Sequence, residues 1–442
     1  MFLNNRLYWW LTFIIVLFLI GFSLQLFILL GKIALFVLVL ITFLDFALLY
    51  NKKNGLNAIR STPDKLSNGD NNKITITIYN YYNLPLQIEV IDEVPIEFQW
   101  RDMSLKEYLP PLKHKEVFYF LKPHKRGSYL FGATNVFVST RIGLIARRYQ
   151  FYNEKNAIVY PSFLQMKQYE IMAFSKVPTQ TGIKKIRRIG HNLEFEQIRE
   201  YVQGDDYRSI NWKATARKSQ PQITRLMVNQ YQDEKSQQVY AIIDKGRLMQ
   251  APFQQMTLLD YAINASLAIS NIVIKKQDKA GLITFNHQLG TTLKASNLPS
   301  QLKLIMDALY LEKTSFKESN FEQLFLHIKH NINQRSLLLF FTNFATLDSL
   351  NRQIIYLKKL TFFHVVVVIF FEDTELETFL NSHPKDTQEI YLKTIAEKFA
   401  YEKRLLVKEM KKYGIHAILS KPQELTLNTI NKYLELKAKG TI

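Results

Sequence analysis

Cysteine is absent from the 442-residue chain, which excludes disulfides, thiolate metal sites and cysteine nucleophiles. Glycine and proline number only 15 and 13, and neither a low-complexity tract nor an internal repeat is visible. Acidic residues are also in deficit, 38 against 57 Lys plus Arg, for a formal net charge of +19. Such an excess favours anionic lipid headgroups, nucleic acid or an acidic protein partner, and charge alone does not choose among them. Three signatures are missing as well: the Gly-x-x-x-x-Gly-Lys phosphate loop, the Gly-x-Gly-x-x-Gly fingerprint and the Gly-x-Ser-x-Gly elbow. Nucleotide hydrolysis, dinucleotide binding and common serine hydrolysis therefore lack support, and any ATP would be consumed by a partner. What is present, 47% hydrophobic and 21% charged residues, is the composition of an ordered protein long enough for two or three domains.

The longest apolar stretches are at the start. Leu7 to Leu30 is almost unbroken Leu, Ile, Phe, Val and Trp, and after Gly31-Lys32 a second run extends from Ile33 to Tyr50. Each approaches the roughly 20 residues a helix needs to cross a bilayer, which predicts a transmembrane hairpin over 1–50. A cleaved signal peptide fits less well, because the first run is too long and lacks a small-residue cleavage site. Tyr8, Trp9, Trp10 and Tyr50 occupy the outer ends where interfacial aromatics belong, and Arg6, Lys52, Lys53 and Arg60 flank one side, so both termini are expected in the cytoplasm. Asp45, near the end of the second run, is expected to snorkel to the interface.

Residues 57–161 read as β structure. Lys73 to Tyr79 alternates with period two, Leu86 to Ile91 repeats the pattern, and further short runs recur between prolines at 85, 95, 110, 111 and 123, which predicts an immunoglobulin-like β-sandwich. Residues 236–442 instead alternate apolar runs at 238–243, 280–285, 336–342, 363–370 and 416–419 with amphipathic stretches. That is the rhythm of an open, mainly parallel α/β sheet, whose ligand-binding loops follow the carboxyl ends of its strands, here after Ile243 and Thr342.

Between the two lies a charged segment, 162–235, whose stretch from Gly190 to Arg217 packs charge, aromatic and glycine residues densely. Arg199, Glu200, Asp205, Asp206, Arg208, Lys213 and Arg217 can neutralise one another, while Phe195, Tyr201 and Trp212 supply apolar anchors that the segment is expected to bury. The pair Asp205–Asp206 also admits a hydrolase or nuclease reading, yet adjacent residues point apart and four cations stand nearby, so salt bridging is the simpler one. His327 and His330 have helical spacing without a zinc pattern around them. The basic cluster Lys184, Lys185, Arg187 and Arg188 has no groove-reading module or stacking platform beside it, so nucleic acid is not an expected partner.

The run from Glu194 and Phe195 through Arg199-Glu200-Tyr201, Gly204-Asp205-Asp206, Arg208, Asn211-Trp212-Lys213 and Arg217 closely resembles the signature of the bacterial domain-of-unknown-function family numbered fifty-eight. The upstream passages Arg126 to Tyr129, Gly143-Leu144 and Val159 to Pro161 resemble the same family. The resemblance implies a multidomain chain: transmembrane helical hairpin, immunoglobulin-like β-sandwich and an α/β von Willebrand A-like (Rossmann-type) domain. It also implies a MoxR-type AAA+ ATPase as partner. Von Willebrand A domains commonly bind Mg²⁺ through an Asp-x-Ser-x-Ser loop, a Thr and a third-loop Asp, hard oxygen donors suited to an octahedral ion. In this sequence Gly246 and Leu248 stand where the hydroxyls belong, Asn343 replaces the third carboxylate, and Thr314 aligns loosely with the Thr. Lys245 and Arg247 add charge that repels a dication. No metal or cofactor is therefore expected, and the implied role is a non-enzymatic adaptor. Its rim of Asp244, Lys245, Arg247, Thr314 and Asn343 would join the ATPase to a membrane or envelope client, with the lipid bilayer as anchor.

Overall fold

The structure, a computed structural model, describes residues 1–100, 103–174, 193–218, 225–233, 236–372, 380 and 386–441. The chain divides into two compact units, Met1–Tyr160 and Pro161–Ile442.

The first unit opens with β1 (Phe2–Leu3), α1 (Asn5–Gly21) and α2 (Gln25–Tyr50). The hairpin thus turns at Phe22 to Leu24, earlier than the expected break at Gly31-Lys32. Gly31 lies inside α2, where a Cβ would stand 3.1 Å from the Phe18 ring; this glycine permits close helix approach and does not end a helix. By length and composition α2 can cross a membrane, and it is almost wholly uncovered. Its 26 residues span about 39 Å at 1.5 Å per residue, more than the ~30 Å hydrocarbon core.

The strands that follow are β2 (Leu56–Ser61), β3 (Lys65–Ser67), β4 (Asn72–Asn80), β5 (Leu86–Asp92), β6 (Leu105–Leu109), β7 (His114–Leu121), β8 (Gly127–Phe131), β9 (Thr134–Ser139), β10 (Ile145–Phe151) and β11 (Lys155–Tyr160). They form three sheets, ordered β1-β10-β9-β5-β6, β2-β4-β7 and β3-β11-β8. The period-two residues Ile74, Ile76 and Ile78 of β4 are buried and share a core with Ile88, Val90, Val136 and Val138, which makes this an immunoglobulin-like, β-rich region. Arg60 is buried here, its guanidinium 2.7 Å from Asp92. Tyr119 and Thr134 donate to the same carboxylate at 2.6 and 2.9 Å. Arg60 therefore serves the β core and is not one of the cations flanking the hairpin.

Asp45 corrects a second expectation. It is fully buried, and its carboxylate accepts from Thr140 Oγ1 at 2.5 Å and from the amides of Leu144 and Ile145 at 3.0 Å each. These donors belong to the β9–β10 connection and the first residue of β10. About one turn further along α2 and just past its end, the Arg147 guanidinium donates to the carbonyls of Leu49, Lys52 and Lys53 at 2.7, 2.7 and 3.0 Å, satisfying orphan acceptors at the helix end. Asp45 does not snorkel because nearer donors already take its charge.

The second unit contains α3 (Phe163–Phe174), β12 (Leu193–Glu200), α4 (Trp212–Lys218), β13 (Met227–Asp233), β14 (Gln238–Asp244), β15 (Pro252–Phe253), β16 (Met256–Thr257), α5 (Leu258–Lys275), β17 (Lys279–Phe285), β18 (Leu289–Ser296), α6 (Pro299–Leu311), α7 (Phe321–Asn331), β19 (Leu337–Phe341), α8 (Leu347–Thr361), β20 (Val365–Phe371), α9 (Thr387–Lys412), β21 (His416–Ser420) and α10 (Leu425–Ala438). Six strands form one sheet in the order β18-β17-β14-β19-β20-β21. All its pairings are parallel except the antiparallel edge β18, which the sequence rhythm did not announce. Alternate residues of β14 face opposite layers. Val239, Ala241 and Ile243 pack among α5, α6 and α10, whereas Tyr240 and Ile242 pack among α7, α8 and α9. The strand β20, Val365–Phe371, is buried along its whole length, as a strand covered on both faces must be. The helix α5 is also long and apolar enough to span a membrane, but 83% of its apolar window is buried, so it is a core helix; Thr257 and Asp260 cap its start reciprocally.

Candidate functional site

The sheet order reverses at β14, so the loop after it and the loop after β19 open side by side at the carboxyl edge, the usual location of ligand sites in such sheets. Asp244 ends β14 and is buried. One carboxylate oxygen accepts from the Gly246 amide at 2.8 Å and from the Ser319 hydroxyl, and the other from Thr342 Oγ1 at 2.7 Å. Burial pushes this carboxyl above the ordinary aspartate range, against the opposing pull of Ser319, Thr342 and Gly246. The hydroxyl contributed by the second loop is thus Ser319; Thr314 is half-buried and five residues short of it. The sequence pointed to Thr314 alone, and only the fold shows that Ser319 is the hydroxyl that reaches the aspartate.

Lys245 is turned inward too. Its ammonium lies 2.6 Å from Glu312, with both side chains about one-tenth exposed, and Thr284 and Thr291 donate to the other Glu312 oxygen at 2.9 and 2.7 Å. Burial raises the affinity of Glu312 for a proton, yet Lys245 and the two threonines outweigh it and hold the carboxyl below the ordinary range. Lys245 is therefore not a rim cation, contrary to expectation, because the glutamate that closes α6 claims it. Asn343 is likewise engaged: its Oδ1 accepts from Lys403 at 2.7 Å, and Lys403 also reaches the Phe344 carbonyl. Of the expected rim, Arg247 alone is exposed. Its amide donates to the Lys317 carbonyl at 3.2 Å, which brings two cations together beside Phe316, 77% exposed. Glu312, Ser319, Phe316, Lys317 and Lys403 were all missed from sequence; only the fold sets their register against β14. Among the described residues no group of three or more His, Asp or Glu could hold a metal ion.

The signature segment forms a separate feature. Strands β12 and β13 pair antiparallel, with an irregularity between Phe195 and Gln197, and α4 is tied to β13 because the Asn211 amide donates to the Met227 carbonyl at 2.8 Å. Asn211 also reaches Asn229 at 2.8 Å and the Ala214 amide at 3.0 Å. Asp205 accepts from Arg199 at 2.6 Å and from the Val202 amide at 2.9 Å, which hold its carboxyl below the ordinary range. Asp206 accepts from the Arg208 amide at 3.0 Å, and Glu200 pairs with Arg225 at 3.1 Å. Gly204 adopts φ +112°, a conformation that favours glycine, and so turns the chain between Tyr201 and the two aspartates. The two carboxylates thus serve different local partners and do not converge. Trp212 is 68% exposed and Tyr207 69%, so Trp212 is not a buried anchor; Tyr201 is half-buried. Arg208, Lys213 and Arg217 face solvent. The Phe195 side chain and the cluster at 184–188 lie outside the described residues.

This arrangement falls within a known sequence family match. Residues 197–377 match the model described as "Protein of unknown function DUF58". That stretch runs from β12 through the Asp244 loops to the end of β20. The chain is also 25% identical over 230 residues to "Uncharacterized protein YeaD" of Bacillus subtilis (strain 168), covering 51% of this chain and 54% of that one; it spans about half the length of this curated relative. Among solved structures, the CARDB domain of the PF1109 protein from Pyrococcus furiosus is 13% identical, with 24% of this chain and 86% of that one covered and a TM-score of 0.17. A PapD-like domain of human CEP192 is 9% identical, with 23% and 84% covered and a TM-score of 0.17. At such scores neither likeness bears on the fold.

Proposed function

We propose that the chain is a membrane-anchored adaptor that binds a protein partner at the carboxyl edge of its von Willebrand A-like sheet, through Arg247, Phe316 and Lys317. The observation that carries this reading is the inward capture of Asp244, Lys245 and Asn343. Their polar atoms are satisfied within the protein, while the outermost positions of the same loops offer two cations around an exposed aromatic ring. Arginine, lysine and an aromatic anchor suit recognition of an acidic protein surface. A MoxR-type AAA+ ATPase is the partner that the family resemblance implies, with a membrane or envelope protein as client. The reversal of sheet order at β14 supports the von Willebrand A-like reading. The apolar α1 and α2 support insertion in a bacterial inner membrane, with both larger regions in the cytoplasm. The excess length of α2 supports a bilayer boundary near Asp45, which leaves its last turn to the β region.

A hydrolase or nuclease built on Asp205 and Asp206 has less support, because each carboxylate has its own local donors and no shared substrate position lies between them. The adaptor is tested by affinity purification of the detergent-solubilised chain beside Arg247→Glu/Lys317→Glu. An AAA+ ATPase recovered by the parent and lost from the variant is expected; its absence from both would sink the reading.

A further inference from the structure

A second concave, basic feature lies in the signature segment, away from the sheet edge. A cleft of about 230 Å³ opens between α4 and the β12–β13 pair, floored by Ile198, Ala214 and Met227 and bordered by Lys213, Arg217 and Lys218. Among the described residues no carboxylate lines it, and these three cations make no ion pair. The nearby acids are committed elsewhere, Asp205 to Arg199 and Glu200 to Arg225. Arg217 and Lys218 stand in the last turn of α4, where the helix dipole favours cations. Lys213 stands in the first turn, where the dipole disfavours one, and it faces Arg217 at i, i+4, a like-charge spacing that costs helix stability. Folding therefore gives no reason for a lysine at 213, whereas an anionic ligand does.

We propose that this cleft receives an acidic segment of a protein partner, one that seats an apolar side chain on Ile198 and Met227 and sets carboxylates against Lys213, Arg217 and Lys218. A flat lipid surface would be met by the protruding Trp212 and Tyr207 and the cations alone, whereas the concave cleft adds apolar lining from Ile198, Ala214 and Met227 that suits a side chain. An acidic peptide satisfies both floor and border. This contact is independent of the Arg247 edge, and gives the adaptor a second hand.

The test is fluorescence anisotropy of a labelled alternating glutamate–leucine dodecapeptide with the detergent-solubilised full chain, beside its glutamine–leucine counterpart and vesicles of phosphatidylserine in phosphatidylcholine. The acidic peptide is expected to bind with salt-sensitive affinity, and Lys213→Glu/Arg217→Glu to weaken it about tenfold or more. The milder Lys213→Gln/Arg217→Gln should fall between, with the parent's melting temperature showing that the fold is intact. The edge variant Arg247→Glu/Lys317→Glu should bind the peptide like the parent, which separates this site from the adaptor reading. Equal binding of the glutamine peptide, unchanged binding by the charge-reversed variant, or charge-dependent capture of vesicles with no peptide binding would each overturn the proposal.

Discussion

The sheet edge and the signature segment are both dense in charge, and they dispose of it in opposite ways. At the sheet edge Asp244, Lys245 and Glu312 turn inward and are satisfied by neighbours from three loops. In the signature segment Arg208, Lys213, Arg217 and Lys218 turn outward, while Asp205 pairs with Arg199 and Glu200 with Arg225. The difference follows from what surrounds them. The edge loops follow β14, buried from Val239 onward, and the fully buried β19, where an unpaired charge is expensive. The signature segment rests on a two-stranded pair, and Arg208, Lys213, Arg217 and Lys218 are exposed there, so these cations stay hydrated at no cost. Charge in the first region specifies the fold; charge in the second is free for recognition.

The sharpest way to break this contrast is at Glu312. Replacing it by alanine strands the Lys245 ammonium beside Thr284 and Thr291, and leaving one member of a buried pair unmatched costs about 3–5 kcal/mol. Denaturant unfolding of the full chain should show it, with Lys245→Met/Glu312→Leu recovering most of the loss. If Glu312→Ala unfolds like the parent, the pair is not a structural clasp. The next largest effect is expected in the first unit. Asp45→Leu removes the acceptor of Thr140, Leu144 and Ile145 and leaves two buried amides without partners, at about 1–3 kcal/mol each. Protease cleavage within residues 140–145 should accelerate, and no acceleration would mean that the joint does not depend on Asp45.

Much of the fold was legible because it depends on periodicity. The alternation of Lys73 to Tyr79 and the apolar block around Val365 to Ile369 gave strands with the correct facing residues. The hairpin turn was misplaced because Gly31-Lys32 looks like a break, whereas Phe22 to Leu24, where the chain does turn, is almost as apolar as the helices. The antiparallel edge β18 reads Leu-Gly-Thr-Thr-Leu-Lys-Ala-Ser, too polar to stand out among buried strands. The site was legible only at its first member. Asp244 follows a strand and marks itself, but Ser319 and Glu312 lie far along the chain and meet it through the crossover to β17 and back to β19. Trp212 was expected as a buried anchor because it is large and apolar, but a tryptophan beside charges is equally compatible with display, and in the fold it is 68% exposed.

The smallest effect tests the contrast most directly, because it asks for opposite signs from two aspartates. Burial lifts the Asp244 carboxyl above its ordinary 3.8, so between that value and the raised one the native state holds more protons than the unfolded chain, and stability falls as pH rises through the window. Arg199 and the Val202 amide lower the Asp205 carboxyl below its ordinary 3.8. Its contribution is present above that value and is lost as pH falls through the lowered one. Asp244→Asn should therefore flatten the descending part of the melting-temperature profile just above the ordinary carboxylate pKa. Asp205→Asn should flatten the acid side below it, by less, since an exposed pair is screened by solvent. Matching changes on one side of the profile would mean that the two regions hold their acids in the same way, and the division between an inward-turned edge and an outward-turned signature would fail.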